Sequence, residues 1–171
     1  EAELAKRADV LEYLKTRGLT EATIKRWQIG FAPDDFHALE RALATKKVST
    51  QDLVKAGVSA KNERGQMYDR FRGRVIFPIS DIHGRVIGFG GRSIDGSEPK
   101  YLNSSESVLF KKSDSLYGIT VARRWIKESD EALIVEGYMD LLSLHEAGIK
   151  NSVATLGTAL TAGHLRLIKR L

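Results

Sequence analysis

Cysteine is absent from the 171 residues of this chain. Disulfide bridges and thiolate zinc sites are therefore excluded within it. The histidines at positions 37, 83, 145 and 164 are scattered without the spacing of a metal-binding motif, so no zinc is expected here. Apolar runs of the roughly 20 residues that span a membrane are also missing, and no membrane contact is expected.

Basic residues exceed acidic ones. The chain carries 27 Lys and Arg against 22 Asp and Glu, which gives a net charge of +5. This balance favours polyanionic partners only if the charge is concentrated on one surface. The charged N-terminal segment is unlike a signal peptide, and a cytoplasmic location is expected. A start at Glu1 rather than Met indicates a piece of a longer protein.

Periodicity and capping residues predict mostly short elements. Residues 3–17 have the apolar spacing of a helix that ends at Gly18, and Thr20 and Ser49 are predicted N-caps of two further short helices. Residues 35–45 also have a helical pattern, with Phe36, Leu39 and Leu43 on one side, and the stretch IGFAPDD is expected to turn the chain. Residues 75–79 and 85–91 are predicted to form a β-hairpin around SDIHG.

The remainder of the chain alternates between helices and strands. Helix 115–127, strand 132–136, helix 138–147, strand 152–155 and a last helix capped by Thr161 are predicted. Such alternation is typical of a parallel sheet with crossover helices. We expect an α+β unit over residues 1–115 and an α/β unit over residues 116–171.

Two segments of the first unit contain candidate phosphate ligands. Arg70, Arg72 and Arg74 alternate, so in an extended chain they lie on one face, which Arg85 and Arg92 of the next strand would extend. Guanidinium groups bind phosphate oxygens in a bidentate geometry. The alternative is a solvated strand face with cross-strand ion pairs.

The other segment, PKYLNSSES, combines Lys100 and Asn103 with several hydroxyls, and Lys111 and Lys112 follow it. Such a loop can hold a triphosphate or a sugar, although an ordinary polar loop has the same composition. The glycines of GFGGR, residues 88–92, permit close approach of a ligand or a bulge. They lack the spacing of a dinucleotide fingerprint or a P-loop, so both of those sites are rejected.

The stretch EALIVEGYMD places an acid at the rim of an apolar strand. Glu136 follows the strand, Gly137 leaves room beside the backbone, and Tyr138 and Asp140 begin a helix. Parallel α/β sheets bind ligands beyond the carboxyl ends of their strands. A carboxylate there can bind Mg²⁺ or move a proton, whereas the alternative is an acid that only stabilises the helix start. The stretch TLGTALT, residues 155–161, is expected at the same edge.

Five segments together resemble the central RNA-polymerase region of bacterial DnaG-type primases. In family order they are RGLTEATIKRWQIGFAP, YDRFRGRVIFPISDIHGRVIGFGGR, PKYLNSSES with LFKKSDSLYG, LIVEGYMDLLSLHEAGI and VATLGTALT, and they cover nearly the whole chain. The resemblance implies an N-terminal helical and β subdomain followed by a TOPRIM subdomain, which is incomplete in this chain.

The resemblance also implies a function and a set of site residues. Family members copy single-stranded DNA into RNA primers from ribonucleoside triphosphates with Mg²⁺ or Mn²⁺, at bacterial replication forks. It implies a catalytic and metal-binding role for Glu136 and places Asp140 in the same acidic motif. The implied nucleotide-binding residues are Lys100, Asn103, Tyr138 and Lys112. The implied DNA-binding residues are Arg17, Arg70, Arg72 and Arg92.

Three features of the family are not found in the sequence. These are a zinc-binding module with Cys and His ligands, a helicase-interacting domain and a second acidic motif of the Asp-x-Asp type. The chain by itself is therefore expected to be unable to polymerise, and the replicative helicase is expected to bind the longer protein elsewhere. An open sheet edge is expected to promote association.

Two alternative functions remain compatible with these residues. One is a module that binds single-stranded DNA without catalysis, and the other is a TOPRIM topoisomerase or nuclease. The GFGGR and PKYLN segments favour the primase. The binding module and the enzyme differ in whether Glu136 is required for synthesis.

Overall fold

The computed structural model describes all residues from Glu1 to Leu171. The helices are α1 (Ala8–Thr16), α2 (Glu21–Arg26), α3 (Ala38–Leu43), α4 (Thr50–Lys55), α5 (Ile119–Ser129), α6 (Tyr138–Glu146) and α7 (Ala162–Ile168). The strands are β1 (Gly30–Ala32), β2 (Ser59–Lys61), β3 (Met67–Asp69), β4 (Arg74–Ser80), β5 (Val86–Ser93), β6 (Tyr101–Asn103), β7 (Leu133–Val135) and β8 (Ser152–Ala154). None of the helices has the length and apolar content that crossing a membrane requires.

The strands form three sheets. The largest is antiparallel, with the order β1-β4-β5-β6, while β2 and β3 form a separate antiparallel ribbon. Strands β7 and β8 pair in parallel, with Val135 opposite Ala154. The predicted fold class, an α+β part followed by a parallel α/β part, is confirmed. The boundary near residue 115 stays a prediction.

Local capping signals predicted several helix starts correctly. The hydroxyl of Thr20 accepts a hydrogen bond from the Thr23 N–H at 3.2 Å, and Ser49 and Thr161 each form a capping box. In the second box the Thr161 N–H donates to Nδ1 of His164, and Nε2 of the same ring lies 2.7 Å from the Lys112 carbonyl. These bonds satisfy backbone groups that a helix start leaves unpaired.

Four other predictions are wrong in their details. The helix predicted over 3–17 is a short 3₁₀ turn followed by α1, because Arg7 has a non-helical backbone. The helix predicted over 35–45 is shorter, and Phe36 lies outside it with 58% of its surface exposed. The turn predicted at IGFAPDD contains edge strand β1, and the loop predicted after β5 contains β6. Three-residue strands depend on the neighbour that pairs with them, and sequence periodicity does not show that neighbour.

The main core lies between the antiparallel sheet and α6. Val75, Phe77 and Ile79 of β4 are completely buried on this side, together with Leu141 and Leu142 of α6. Residues from both predicted units belong to this one cluster. The two units are therefore held together by a shared hydrophobic core, in addition to the polar contacts described below.

A buried histidine connects the two parts of this core. The edge of the His145 ring packs against Trp27, with 5.0 Å between ring centroids, and its Nε2 lies 3.1 Å from the Ser152 carbonyl. A carbonyl only accepts hydrogen bonds, so Nε2 carries the proton. Nδ1 is buried without a partner. Burial, which disfavours the charged form, lowers the pKa of His145 below its ordinary value of 6.5.

This arrangement predicts a loss of stability in mild acid. The unfolded chain binds a proton at His145 more readily than the folded chain does, so the unfolding free energy should fall as the pH drops below about 6.5. Above that pH the group contributes no pH dependence. Urea unfolding of wild type and His145→Gln between pH 5 and 7.5 measures this, and the variant should show the smaller slope. Equal slopes, or an NMR titration of His145 with a pKa above 6.5, would contradict the prediction.

Candidate functional site

The carboxylate of Glu136 stands free at the end of β7. It is exposed and makes no hydrogen bond or ion pair. Asp140, one turn later on α6, is also exposed, and its Oδ2 lies 2.8 Å from the position a Cβ on Gly137 would occupy. A side chain at position 137 would therefore displace this carboxylate. The exposed Asp140 side chain can move at little cost, so this contact alone does not require a glycine at position 137.

A cluster of aromatic rings surrounds Arg92. The Arg92 guanidinium lies 5.6 Å from the ring centroid of Tyr13 and 5.2 Å from that of Tyr101, and it donates a hydrogen bond to the Tyr101 hydroxyl. Only 6% of Arg92 is exposed, its Nε is buried without a partner, and no carboxylate pairs with it. A nearly buried cation without a counter-ion is costly, and the aromatic faces offset only part of that cost.

Tyr101 connects this cluster to the acidic helix start. Burial raises the pKa of the Tyr101 hydroxyl, and the positive charges of Arg92 and Arg17 and the negative charge of Asp140 also act on it. Arg17 at the end of α1, Arg92 of β5 and Asp140 of α6 thus all influence this one phenol. Arg17 is exposed, and its guanidinium lies 6.0 Å from the Tyr13 ring centroid. None of Arg17, Arg92 and Asp140 forms an ion pair.

The other predicted arginines do not form one basic face. Arg70 donates to the Asn103 carbonyl at 2.9 Å, and Arg72 donates to the Asp69 carbonyl and lies over the rings of Phe36 and Tyr68. Arg74 is buried and donates to the Pro99 carbonyl at 2.7 Å. Residues 70–73 precede β4, so strand alternation does not apply to them. The expectation of a regular arginine surface is wrong for this reason.

The predicted nucleotide ligands fall into two groups. Lys100 is exposed and Lys112 is half-buried, and neither ammonium group is paired with an acid. Asn103 and Tyr138, in contrast, are bonded to each other, since the Tyr138 hydroxyl donates to Asn103 Oδ1 at 2.6 Å. Tyr138 is 4% exposed, and burial raises the pKa of its hydroxyl. Its phenol has no proton left to donate to a nucleotide in this arrangement.

The glycines of GFGGR approach aromatic rings of the protein itself. A Cβ at Gly90 would lie 2.2 Å from Tyr138, one at Gly91 2.7 Å from Phe71 and one at Gly88 3.1 Å from Phe110. The sequence predicted either close approach of a ligand or a bulge: the groups that approach the glycines are protein side chains, and the register of β5 against β4 shifts between Gly88 and Val86. No local sequence pattern indicates these partners, which lie 20 to 48 positions away.

A groove lies on the other face of the antiparallel sheet. It has a volume of about 670 Å³ and is lined mainly by apolar side chains, among them Phe71, Ile76 and Phe89. Neither Glu136 nor the Arg92 cluster contributes to it. The groove and the unpaired charged groups therefore lie on different parts of the surface. Only the surface with the unpaired charges supplies groups suited to phosphate or metal chemistry.

The carboxylate groups of the two acids are chemically suited to bind a divalent cation. Glu136 and Asp140 offer unpaired carboxylate oxygens, the ligands that Mg²⁺ and Mn²⁺ prefer. No group of three or more acidic, histidine or cysteine side chains is arranged to hold a metal. A cation held here would complete its coordination with water or with oxygens of a bound substrate.

Comparisons with known proteins give a consistent picture. The family described as "DNA primase catalytic core, N-terminal domain" matches residues 1–123, and "Toprim domain" matches residues 130–171. The DNA primase of Deinococcus radiodurans is 50% identical over 162 residues, covering 94% of this chain and 28% of that protein. The chain therefore spans little more than a quarter of this relative.

Solved structures agree with these sequence matches. A DNA primase domain from Pseudomonas aeruginosa superposes with a TM-score of 0.89 at 43% identity, covering 96% of this chain and 52% of that one. A DnaG primase catalytic domain bound to single-stranded DNA superposes with a TM-score of 0.86 at 44% identity, covering 95% of this chain and 53% of that one.

Because the charge of Arg92 is nearly buried and has no counter-ion, we predict that this residue does not stabilise the fold. Arg92→Met keeps the apolar stem and removes a desolvated charge, so the unfolding free energy should stay the same or rise. Arg74→Met is the comparison, because Arg74 is equally buried but donates to backbone carbonyls, whereas Arg92 bonds only the Tyr101 hydroxyl and leaves its Nε unpaired. Arg74→Met should lower the unfolding free energy by about 1–3 kcal/mol. Urea unfolding checks both, and an equal loss in the two variants would refute the prediction.

Proposed function

This chain belongs to the DNA primase catalytic-core family, as its motifs predicted, and we propose that it contributes the first part of an active site for template-directed RNA synthesis. The longer protein would copy single-stranded DNA into short RNA primers from ribonucleoside triphosphates. The observation that carries this proposal is that Glu136 and Asp140 are exposed and unpaired after the carboxyl end of β7, while the nearly buried Arg92 has no counter-ion. The acids are candidate metal ligands, and the cation is a candidate phosphate ligand.

The proposed roles follow from which groups are free. Glu136, with Asp140, would hold a divalent cation, either Mg²⁺ or Mn²⁺, and such an ion would neutralise phosphate charge during nucleotidyl transfer. Lys100 and Lys112 contact the triphosphate. Arg17 and Arg92 contact template and primer phosphates, and the partly exposed Arg70 and Arg72 extend this surface through their remaining N–H groups. The chain positions both reactants, and that positioning contributes much of the rate enhancement.

The proposal also covers the subdomains, the partners and the location of the longer protein. We retain 1–115 and 116–171 as the two subdomains, with the second an incomplete TOPRIM unit in this chain. The replicative helicase, bound through another domain, and a place at bacterial replication forks in the cytoplasm belong to the same proposal. The binding of single-stranded DNA by a structural relative supports the template as the partner of this surface.

Removing the acid should separate synthesis from binding. In the full-length protein, Glu136→Gln should lower primer synthesis by about 100-fold or more, because the metal loses a charged ligand. Single-stranded DNA affinity should change less than about twofold, since DNA phosphates are held by cations. Glu131→Gln, at an exposed acid ahead of β7, is the control and should be active. Synthesis that survives Glu136→Gln would favour the module that binds DNA without catalysis.

Removing an exposed cation of the surface should weaken binding in a salt-dependent way. Arg17→Ala should reduce single-stranded DNA affinity and lower the slope of log K against log salt by about 0.7, the value for one phosphate contact on a single strand. Arg85→Ala removes the same charge from a residue that pairs with Asp81 at 2.7 Å. It should leave the slope unchanged. Fluorescence anisotropy at several salt concentrations tests both, and identical slopes would contradict a phosphate contact at Arg17.

A further inference from the structure

Asn103 joins four segments of the chain. Its Oδ1 accepts from the Tyr138 hydroxyl at 2.6 Å, and its Nδ2 donates to the Leu156 carbonyl at 2.7 Å. Its own backbone carbonyl accepts from Arg70 Nε at 2.9 Å. The residue thereby links β6 to the start of α6, to the turn after β8 and to the segment before β4. Both ends of its amide are engaged.

The ring of Tyr138 fixes one end of this connection. It stacks on Phe77 with 4.9 Å between centroids and an angle of 11°, and the edge of Tyr117 contacts it at 4.7 Å. Its hydroxyl end lies over Gly90, where any Cβ would overlap it at 2.2 Å. Close packing on these sides leaves the ring a single position, and its hydroxyl reaches Asn103 from there.

The connection lies immediately beside the proposed site. Tyr138 is two residues after Glu136, and Leu156 follows Thr155, whose N–H donates to the Val135 carbonyl at 2.9 Å. On the other side, Asn103 follows Tyr101, which bonds Arg92. Two hydrogen bonds thus join the acidic edge of the parallel sheet to the cationic edge of the antiparallel sheet.

We propose that Asn103 and Tyr138 are positioning residues that form a strut between these two edges and do not bind nucleotide directly. The inference rests on the proposed function, and it replaces the nucleotide-binding role predicted for the two residues. A nucleotide that replaced the Tyr138 hydroxyl or the Leu156 carbonyl as the partner of this amide would break a hydrogen bond of the strut. The strut instead sets the separation between Glu136 and the cations that would hold the substrate phosphates.

The kinetic test uses the full-length protein and removes one atom, the hydroxyl oxygen of Tyr138. Tyr138→Phe keeps the packed ring and deletes the hydrogen bond, so kcat for template-directed synthesis should fall about tenfold because the two edges are held less firmly. The KM for nucleotides and the Kd for single-stranded DNA should remain within about twofold of wild type. An unchanged kcat, or a KM that rises while kcat is unchanged, overturns the strut.

The chain offers a matched control. The Tyr117 hydroxyl is fully buried in the same aromatic cluster and has no hydrogen-bond partner. Tyr117→Phe therefore deletes the same atom from the same surroundings without removing a bond, and kcat should remain at the wild-type value. A tenfold loss in this variant as well would show that the effect belongs to the cluster, which overturns the proposal.

A double-mutant cycle distinguishes a strut from two separate ligands. If Asn103 and Tyr138 act through one bond, Asn103→Ala combined with Tyr138→Phe should be no slower than Asn103→Ala alone. If each contacted nucleotide independently, the two losses in kcat/KM would multiply. Multiplying losses overturn the proposal.

Hydrogen exchange separates a failure of the strut from a failure of the proposed function. In the full-length protein without substrate, Tyr138→Phe should speed amide exchange at Thr155 and in the turn that follows it, whereas Tyr117→Phe should not. Unchanged exchange in Tyr138→Phe overturns the strut whatever the activity. A wild-type protein that makes no template-directed product would refute the proposed function, and the exchange result would still decide the strut.

Discussion

The bond between Tyr138 and Asn103 is the constraint on which the geometry of this molecule depends. It crosses from the parallel sheet to the antiparallel sheet at the place where both present their charged groups. The bond exists because Gly90 has no side chain, which lets the phenol ring lie directly over β5. Without that space the ring would be displaced, and with it the helix start that carries Glu136 and Asp140.

The hydrophobic core and this polar connection have different consequences. The core supplies most of the free energy that keeps the sheet and α6 together, since burial of apolar surface dominates folding. Apolar packing has little directionality, however, and tolerates small displacements better than catalysis does. Hydrogen bonds of defined length between buried groups fix relative position. On the surface, a pair of hydrogen bonds from Thr20 to Glu146 at 2.8–2.9 Å connects the start of α2 to the far end of α6.

In the candidate site, some charged side chains form hydrogen bonds within the protein and others remain unpaired. Arg70, Arg72 and Arg74 use their guanidinium groups on backbone carbonyls of the protein, whereas Arg92 keeps a nearly buried charge without an acid. Glu136 and Asp140 are free although basic residues are abundant. The exposed acids are solvated and cost little, whereas a nearly buried cation without a counter-ion costs stability. These groups, and not the apolar groove on the opposite face, supply the chemistry that the proposed site requires.

The sequence by itself determined the features that depend on neighbouring residues. The helix caps at Thr20, Ser49 and Thr161, the β4–β5 hairpin, the β7–α6–β8 unit and the acid at the strand end could all be predicted, because each rests on spacing within about a dozen residues. The family could be recognised from motifs in their order. Only the tertiary structure decided that β1 and β6 are strands and that the glycines of β5 accommodate aromatic rings. It also decided which arginines are paired and that Tyr138 and Asn103 bind each other. These features depend on contacts between residues far apart in the sequence, such as Asn103 and Leu156, 53 positions apart, and local pattern carries no record of such partners.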